Sequence, residues 1–196
     1  MARHDTRASA EPLVDVRERV LETASALFYS QGVRAIGVDL VVERAGVAKT
    51  SLYRHFRTKD DLVAAFLERE DKDFWQTWDQ VARAHADDPR AELDAHVGWI
   101  GRRVARPGYR GCPQINVAAE FAEIDHPARR VAAAHKAELR RRLTVLAERM
   151  GATRPDELGG QLAVLINGAF VSSQMLSGEE AEPLLLNSAA ALIAAG

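Results

Sequence analysis

The residues most able to do chemistry in this chain crowd into one stretch, Ala45 to Phe56, which reads AGVAKTSLYRHF. From Arg44 to Lys59 there are five cations (Arg44, Lys49, Arg54, Arg57 and Lys59) and no Asp or Glu. The chain as a whole carries a formal net charge of -2. A local basic face on a mildly acidic body points to a polyanionic partner, with double-stranded DNA foremost. The elements that must position these groups can be read beside them. Gly46 permits a tight turn, and Val47 can plug the space between two helices. Lys49, Thr50 and Ser51 then fall in the first turn of a short basic helix. Lys49 can donate to guanine O6 or N7, and Thr50 can offer a hydroxyl or a methyl to a base edge. Leu52 and Phe56 read as core.

A second chemically interesting segment is Arg110 to Glu120, RGCPQINVAAE. It holds the single cysteine, Cys112. Pro113 suits the first position of a helix, which puts Cys112 at that helix's positive end, where thiolate is favoured; Arg110 adds charge nearby. A low-pKa thiol there could sense an electrophile or an oxidant. The plainer reading is a small buried side chain filling a gap. Asn116 and Glu120, one turn apart, either face a pocket or tie helices together.

Length and composition bound the rest. A chain of 196 residues can bury a substantial core. No apolar run approaches the ~20 residues that span a bilayer. The polar N-terminus lacks the apolar centre of a signal peptide, and one cysteine cannot form an internal disulfide, so the chain reads as cytoplasmic. Ten Lys and Arg stand against eight Asp and Glu through residue 60, and sixteen against twenty beyond it. A small basic head on an acidic body suits a site-specific binder better than a packaging protein.

Helical signals run from end to end. The spacing predicts an all-α fold of about nine helices: a tail over 1–13, a helix-turn-helix head over 14–60 and a helical body over 61–196. Asp15, with Glu18 reaching back, caps the first helix, and Gly32 stops it. The second covers about 38–45 and the third 49–56. Thr58 and Asp61 form a capping box for a long fourth. Asp88-Pro89 opens the fifth and Pro107-Gly108 closes it. Pro113 opens a sixth, to about Ile124. Pro127 opens a seventh, ending at Gly151. Thr153 with Asp156 caps the eighth, to about Ser177. The ninth runs from about Glu180 to Ala195.

The turn Ala45-Gly46-Val47, followed by Leu52-Tyr53-Arg54-His55-Phe56 and Thr58-Lys59-Asp60-Asp61-Leu62, resembles the TetR family of bacterial transcriptional repressors over about residues 16–67. The resemblance implies a homodimer, each subunit with a DNA-binding head and a body that takes up a small molecule, released from its operator when the effector binds. It implies phosphate contacts from Tyr53 and His55. Arg54 either joins them or is solvated surface, and Lys59 adds charge at the positive end of the fourth helix. Two positions depart from the family pattern. Gly37 stands where a Thr or Ser usually caps the second helix, and Ala48 where a Ser often begins the third. The Arg110–Glu120 segment resembles a Gly-Cys stretch, with downstream Asn and Glu, found in one branch of the family.

One recognition helix reads few bases, so a dimer on a near-palindromic operator is expected, its half-sites about one turn or a multiple apart. The dimer surface is expected on the last two helices. On the eighth, Leu158, Leu162, Leu165, Ala169, Ser172 and Leu176 share a side; on the ninth, Leu185, Ala189, Leu192 and Ile193 do. Gly168, Ala169 and Ser172 are small enough for close approach. Alternatively, these stripes pack only within one subunit. The effector pocket is expected among helices four to seven, with Trp75, Trp78, His96, Trp99, Ile100, Tyr109, Cys112, Asn116, Glu120, Phe121 and His135 as candidate lining. His85, His96, His126 and His135 lack metal-site spacing, so no metal or cofactor is expected. No nucleophile–base constellation suggests an enzyme. A helical enzyme with an appended head, or an adaptor that docks its basic helix on an acidic protein, are the competing classes.

Overall fold

The computed structural model describes residues 15–176 and 178–195. The predicted tail over 1–13 lies outside the described residues. Among those described run nine helices and no strand. They are α1 (Val16–Gln31), α2 (Val38–Ala45), α3 (Lys49–His55), α4 (Lys59–Ala84), α5 (Pro89–Val104), α6 (Pro113–Glu120), α7 (Pro127–Arg149), α8 (Pro155–Ser172) and α9 (Gly178–Ala195). None of them is long and apolar enough to cross a membrane.

Local chemistry sets most of the ends. Asp15 caps α1 by accepting from the Arg17 amide at 3.2 Å. Glu18 does not reach back; it pairs instead with Arg69 at 2.9 Å, tying α1 to α4. Gly46 ends α2 in the left-handed region at φ 62°, which glycine adopts without a Cβ clash. Neither Gly37 nor Ala48 supplies a side-chain cap. Thr58 and Asp61 form the full capping box of α4, with bonds of 3.1 and 3.0 Å. The Asp88 carboxylate accepts from the Arg90 and Ala91 amides at the head of α5.

Three helix ends and one cap differ from expectation. α6 stops at Glu120, four residues before Ile124, because the Glu120 carboxylate is drawn to the α1–α2 turn and Phe121 stacks on His126 at 3.7 Å. The cap of α7 is the His126 ring, whose Nδ1 accepts from the Ala128 amide at 3.2 Å. Thr153 does not cap α8; the cap position is Arg154, without a side-chain bond, and Pro155 needs no amide partner. α8 closes at Ser172 and α9 opens at Gly178.

Two apolar clusters hold the chain together, and α4 belongs to both. Its first half, Leu62 to Leu67, joins Val20, Phe28, Ile36, Val41, Leu52 and Phe56 from α1–α3. Val117 of α6 and Ala128 of α7 complete that cluster. The second half of α4 adds Phe74 and Trp78 to a core from α5, α7, α8 and α9. Close helix packing rests on two glycines. A Cβ on Gly159 would lie 2.7 Å from the Thr144 backbone, and one on Gly101 would lie 2.5 Å from Glu182 Cα. Gly168, expected at a close approach, has nothing within 4 Å of its would-be Cβ.

Candidate nucleic-acid interface and effector pocket

The head presents one polar face. Leu52 (0% exposed) and Phe56 (3%) anchor α3 in the core. That rotation leaves Lys49, Thr50, Tyr53, Arg54 and His55 exposed and Ser51 half-buried. Tyr53, an amphipathic ring held 42% in solvent, is surface rather than packing. Acid does approach this face through space. Asp39 of α2 lies 2.6 Å from Lys49 Nζ, and the pair holds the Lys49 pKa above its ordinary value. Lys59 is half-buried, with its ammonium donating to the Val33 carbonyl at 2.6 Å. Burial there lowers its pKa.

The body encloses a small pocket bordered by Glu70 and Phe74 of α4, Arg103 of α5, Tyr109, Cys112, Pro113 and Gln114 around the start of α6, His135 of α7 and Phe170 of α8. It holds about 10 Å³, room for roughly one water. An outer cavity of about 250 Å³ shares Glu70, Arg103 and Tyr109 with it and adds Tyr29, Arg106, Pro107 and Gly108. Arg103 and Glu70, 3.9 Å apart, stand where the two meet. Burial pushes the Glu70 carboxyl up, with the Arg103 guanidinium opposing, and pushes the Tyr109 phenol up as well. His135 Nδ1 lies 2.6 Å from Asp71 Oδ1, the same oxygen that accepts from Trp75 Nε1 at 2.8 Å. Burial, the largest cause, holds the His135 pKa below its usual value, so the ring is neutral. Cys112 is the cap residue of α6, and Lys136 Nζ lies 3.4 Å from its Sγ.

α6 bridges the two regions. Its first turn borders the pocket. At its last residue, the Glu120 carboxylate accepts from the Val33 (3.0 Å) and Arg34 (2.7 Å) amides of the head. Gly32, at φ 87°, leaves room for that carboxylate; a Cβ there would meet it at 3.3 Å. The Tyr29 hydroxyl of α1 accepts from the Arg110 amide at 2.9 Å and donates to the Gly111 carbonyl at 3.3 Å. His126 sits 3.4 Å from Asp60.

Residues 20–66 match the model of the bacterial regulatory proteins, tetR family. A putative TetR transcriptional regulator from Streptomyces avermitilis is 35% identical in sequence, with 90% of this chain and 98% of that one covered and a TM-score of 0.72. The chain belongs to the TetR family. The TetR-family regulator SCO4454 from Streptomyces coelicolor superposes with a TM-score of 0.86 at 28% identity, over 91% of this chain and 94% of that one. The transcriptional activator FasR of Mycolicibacterium smegmatis is 33% identical over 97 residues, 48% of this chain and 44% of FasR. The chain thus spans less than half the length of that relative. The stretch that the family model matches, residues 20–66, holds α2 and α3 and the turn between them.

Within this TetR fold the expected lining residues separate. Tyr109, Cys112 and His135 border the enclosed pocket. Trp78 and His96 stack on each other at 3.7 Å in the core beyond it, and Ile100 is wholly buried there. Trp99 packs on Phe74 at 4.9 Å, and Trp75 packs on Phe74 and under Arg142. Asn116 and Glu120 border a separate cleft between α6 and α1, with Asn116 Nδ2 donating to the Arg110 carbonyl at 2.7 Å. Phe121 is taken by His126. Phe74, Glu70, Arg103, Gln114 and Phe170 were not foreseen. Only Gln114 carried a legible signal, a polar residue in the first turn of α6 beside Cys112. On the proposed dimer side, Leu158, Leu162, Ala169, Leu185 and Ala189 are buried inside the subunit. Leu165, Leu176, Leu192 and Ile193 are partly buried against the same core, and Ser172 is half-buried. The outward row on α8 is Val164 (73% exposed), Gly168, Val171 (67%) and, just past its end, Met175 (81%).

Proposed function

We propose that this protein is a homodimeric repressor that leaves a near-palindromic operator when a small organic effector enters its body. The observation that carries the reading is the exposed face of α3. Lys49, Thr50 and Ser51 would read base edges in the major groove, and Tyr53, Arg54 and His55 would hold flanking phosphates. Lys59 is the weakest member of the set, since its ammonium already serves Val33. The head over 14–60 carries this work and the body over 61–196 takes the effector and the second subunit. The effector site we favour is the enclosed pocket with its outer cavity, a few polar groups in apolar walls. The dimer face we favour is the outward row Val164, Gly168, Val171 and Met175 with exposed Leu184 of α9, because isolated chains rarely leave such a row in water.

The test is a fluorescence-anisotropy titration with DNA from upstream of the protein's own coding region against a scrambled duplex. Preference for the native sequence that weakens in Lys49→Ala and Tyr53→Ala supports the reading. No enriched palindrome in an unbiased selection from random duplexes sinks it.

A second reading draws on the Cys112–Lys136 contact. Lys136 Nζ approaches Sγ at the pocket edge, and an electrophile entering there could alkylate Sγ, with the thiol proton lost to water. If an alkylating maleimide releases DNA equally from wild type and Cys112→Ser, this reading fails.

A further inference from the structure

Gln114 and His135 at the pocket are each buried with one polar atom left over, and the Tyr109 hydroxyl beside them, which can donate or accept, is a third buried atom without a partner among the described residues. Gln114 is 2% exposed; its Nε2 donates to the Leu67 carbonyl of α4 at 2.9 Å, and its Oε1 has no hydrogen-bond partner among the described residues. His135 is 3% exposed and its Nε2 likewise has none. The identity of both leftover atoms follows from their partners. Gln114 uses its amide nitrogen on a carbonyl, so the atom that remains is an oxygen, an acceptor. The Asp71 carboxylate only accepts, so His135 Nδ1 carries the proton and Nε2 is a bare lone pair, again an acceptor. Burying two acceptors without donors is costly, and sites that do so reject partners unable to supply the missing hydrogens.

The surroundings limit the rest of the molecule. The enclosed space takes about one heavy polar group, so only a head fits. Phe74, Phe170, Pro113 and Tyr109 form flat walls around it, and the 250 Å³ outer cavity has room for a ring. Glu70 and Arg103 at the junction carry opposite charges, which gives a charged head no consistent reward for desolvation.

We propose that the effector is an uncharged aromatic molecule whose hydroxyl or amine head donates hydrogen bonds to Gln114 Oε1 and His135 Nε2. This rests on the effector-pocket reading above and adds its polarity: a head with a donor pairs the two acceptors, whereas a head without one can at most accept from the Tyr109 hydroxyl and leaves both unpaired. Asp71, outside the pocket, is the positioning residue, because it sets which nitrogen of His135 keeps its proton.

The experiment is calorimetric titration of the full chain with 4-propylphenol, 4-propylaniline and 1-fluoro-4-propylbenzene, probes with a one-heavy-atom head each, the last without a donor. Wild type is expected to bind the phenol or the aniline at least about tenfold more tightly than the aryl fluoride. Gln114→Met, which removes one acceptor, and Asp71→Leu, which leaves His135 Nδ1 without its acceptor and so frees the tautomer, should each bring that ratio towards one. Circular dichroism confirms that the variants are folded. The proposal is overturned if wild type binds the aryl fluoride as well as the phenol, if it binds none of the three, or if the ratio survives in both variants. Operator release is read separately by anisotropy. Absence of operator binding would sink the repressor reading, while the calorimetric ratio still decides this one.

Discussion

Lys49 and Asp39 form an exposed pair at the tip of the proposed recognition helix, and that pair must open before Lys49 meets a base or a phosphate. Exposed ion pairs are weak, and the Asp39 carboxylate itself repels DNA. Asp39→Asn should therefore tighten operator binding by roughly two- to fivefold in an anisotropy titration. Tyr53→Phe keeps the ring and removes the hydroxyl. It should weaken binding by about tenfold if the hydroxyl holds a phosphate, and leave it unchanged if Tyr53 is only surface. His96 belongs to stability rather than to either site. Burial, with Arg142 and His85 nearby, lowers its pKa from 6.5 to about 3. The unfolded chain takes up a proton below pH 6.5 that the folded chain refuses, so folding stability from this group is full above 6.5 and is lost as the pH falls towards 3. Denaturant melts of His96→Phe should show a shallower acid loss than wild type across that window.

At the scale of elements, α6, like α4 and α7, touches both the pocket and the head. Gln114 and Cys112 lie at one end, and Glu120 grips the α1–α2 turn at the other. A displacement at the pocket end has a direct mechanical route to the helices that would carry the DNA face. Glu120→Gln keeps one acceptor but loses the charge that strengthens both bonds. It should leave the melting curve nearly unchanged and shift the effector concentration that releases DNA; a variant with an unaltered release curve would remove α6 from the coupling. The α7–α8 packing makes a different demand. Gly159→Ala places a Cβ 2.7 Å from the Thr144 backbone, where nothing flexible can yield. We expect a loss of about 1–3 kcal/mol in denaturant unfolding.

The whole molecule carries its cations unevenly, and affinity for DNA should fall steeply with salt because each neutralised phosphate releases counterions. Two heads are needed to read a genomic address, so the dimer face matters as much as α3. Val164→Glu together with Val171→Glu should yield a folded monomer by light scattering, with operator binding lost although every head residue is intact. A dimer that persists would move the interface elsewhere on the subunit.

The all-helical fold and the helix-turn-helix head were legible because they rest on local signals: the Ala45-Gly46-Val47 turn, the Thr58–Asp61 capping box, and apolar residues at helical spacing. For Tyr53 the family resemblance implied a phosphate contact while packing between helices stayed open, and only the fold leaves its ring 42% in solvent. The pocket was not legible in that way. Apolar aromatics such as Trp78 and Trp99 look alike in sequence whether they fill a core or line a cavity, and only packing sends them to the core. The bridges Glu120 to Val33, Lys49 to Asp39 and Asp71 to His135 join residues on different elements, so no spacing along the chain records them. The stripe Leu158, Leu162 and Ala169 was read correctly as apolar, but periodicity cannot say which subunit buries it. Local chemistry along the chain therefore determined the helices and their caps, while the choice of neighbours, and with it the pocket and the coupling, was left to the three-dimensional packing.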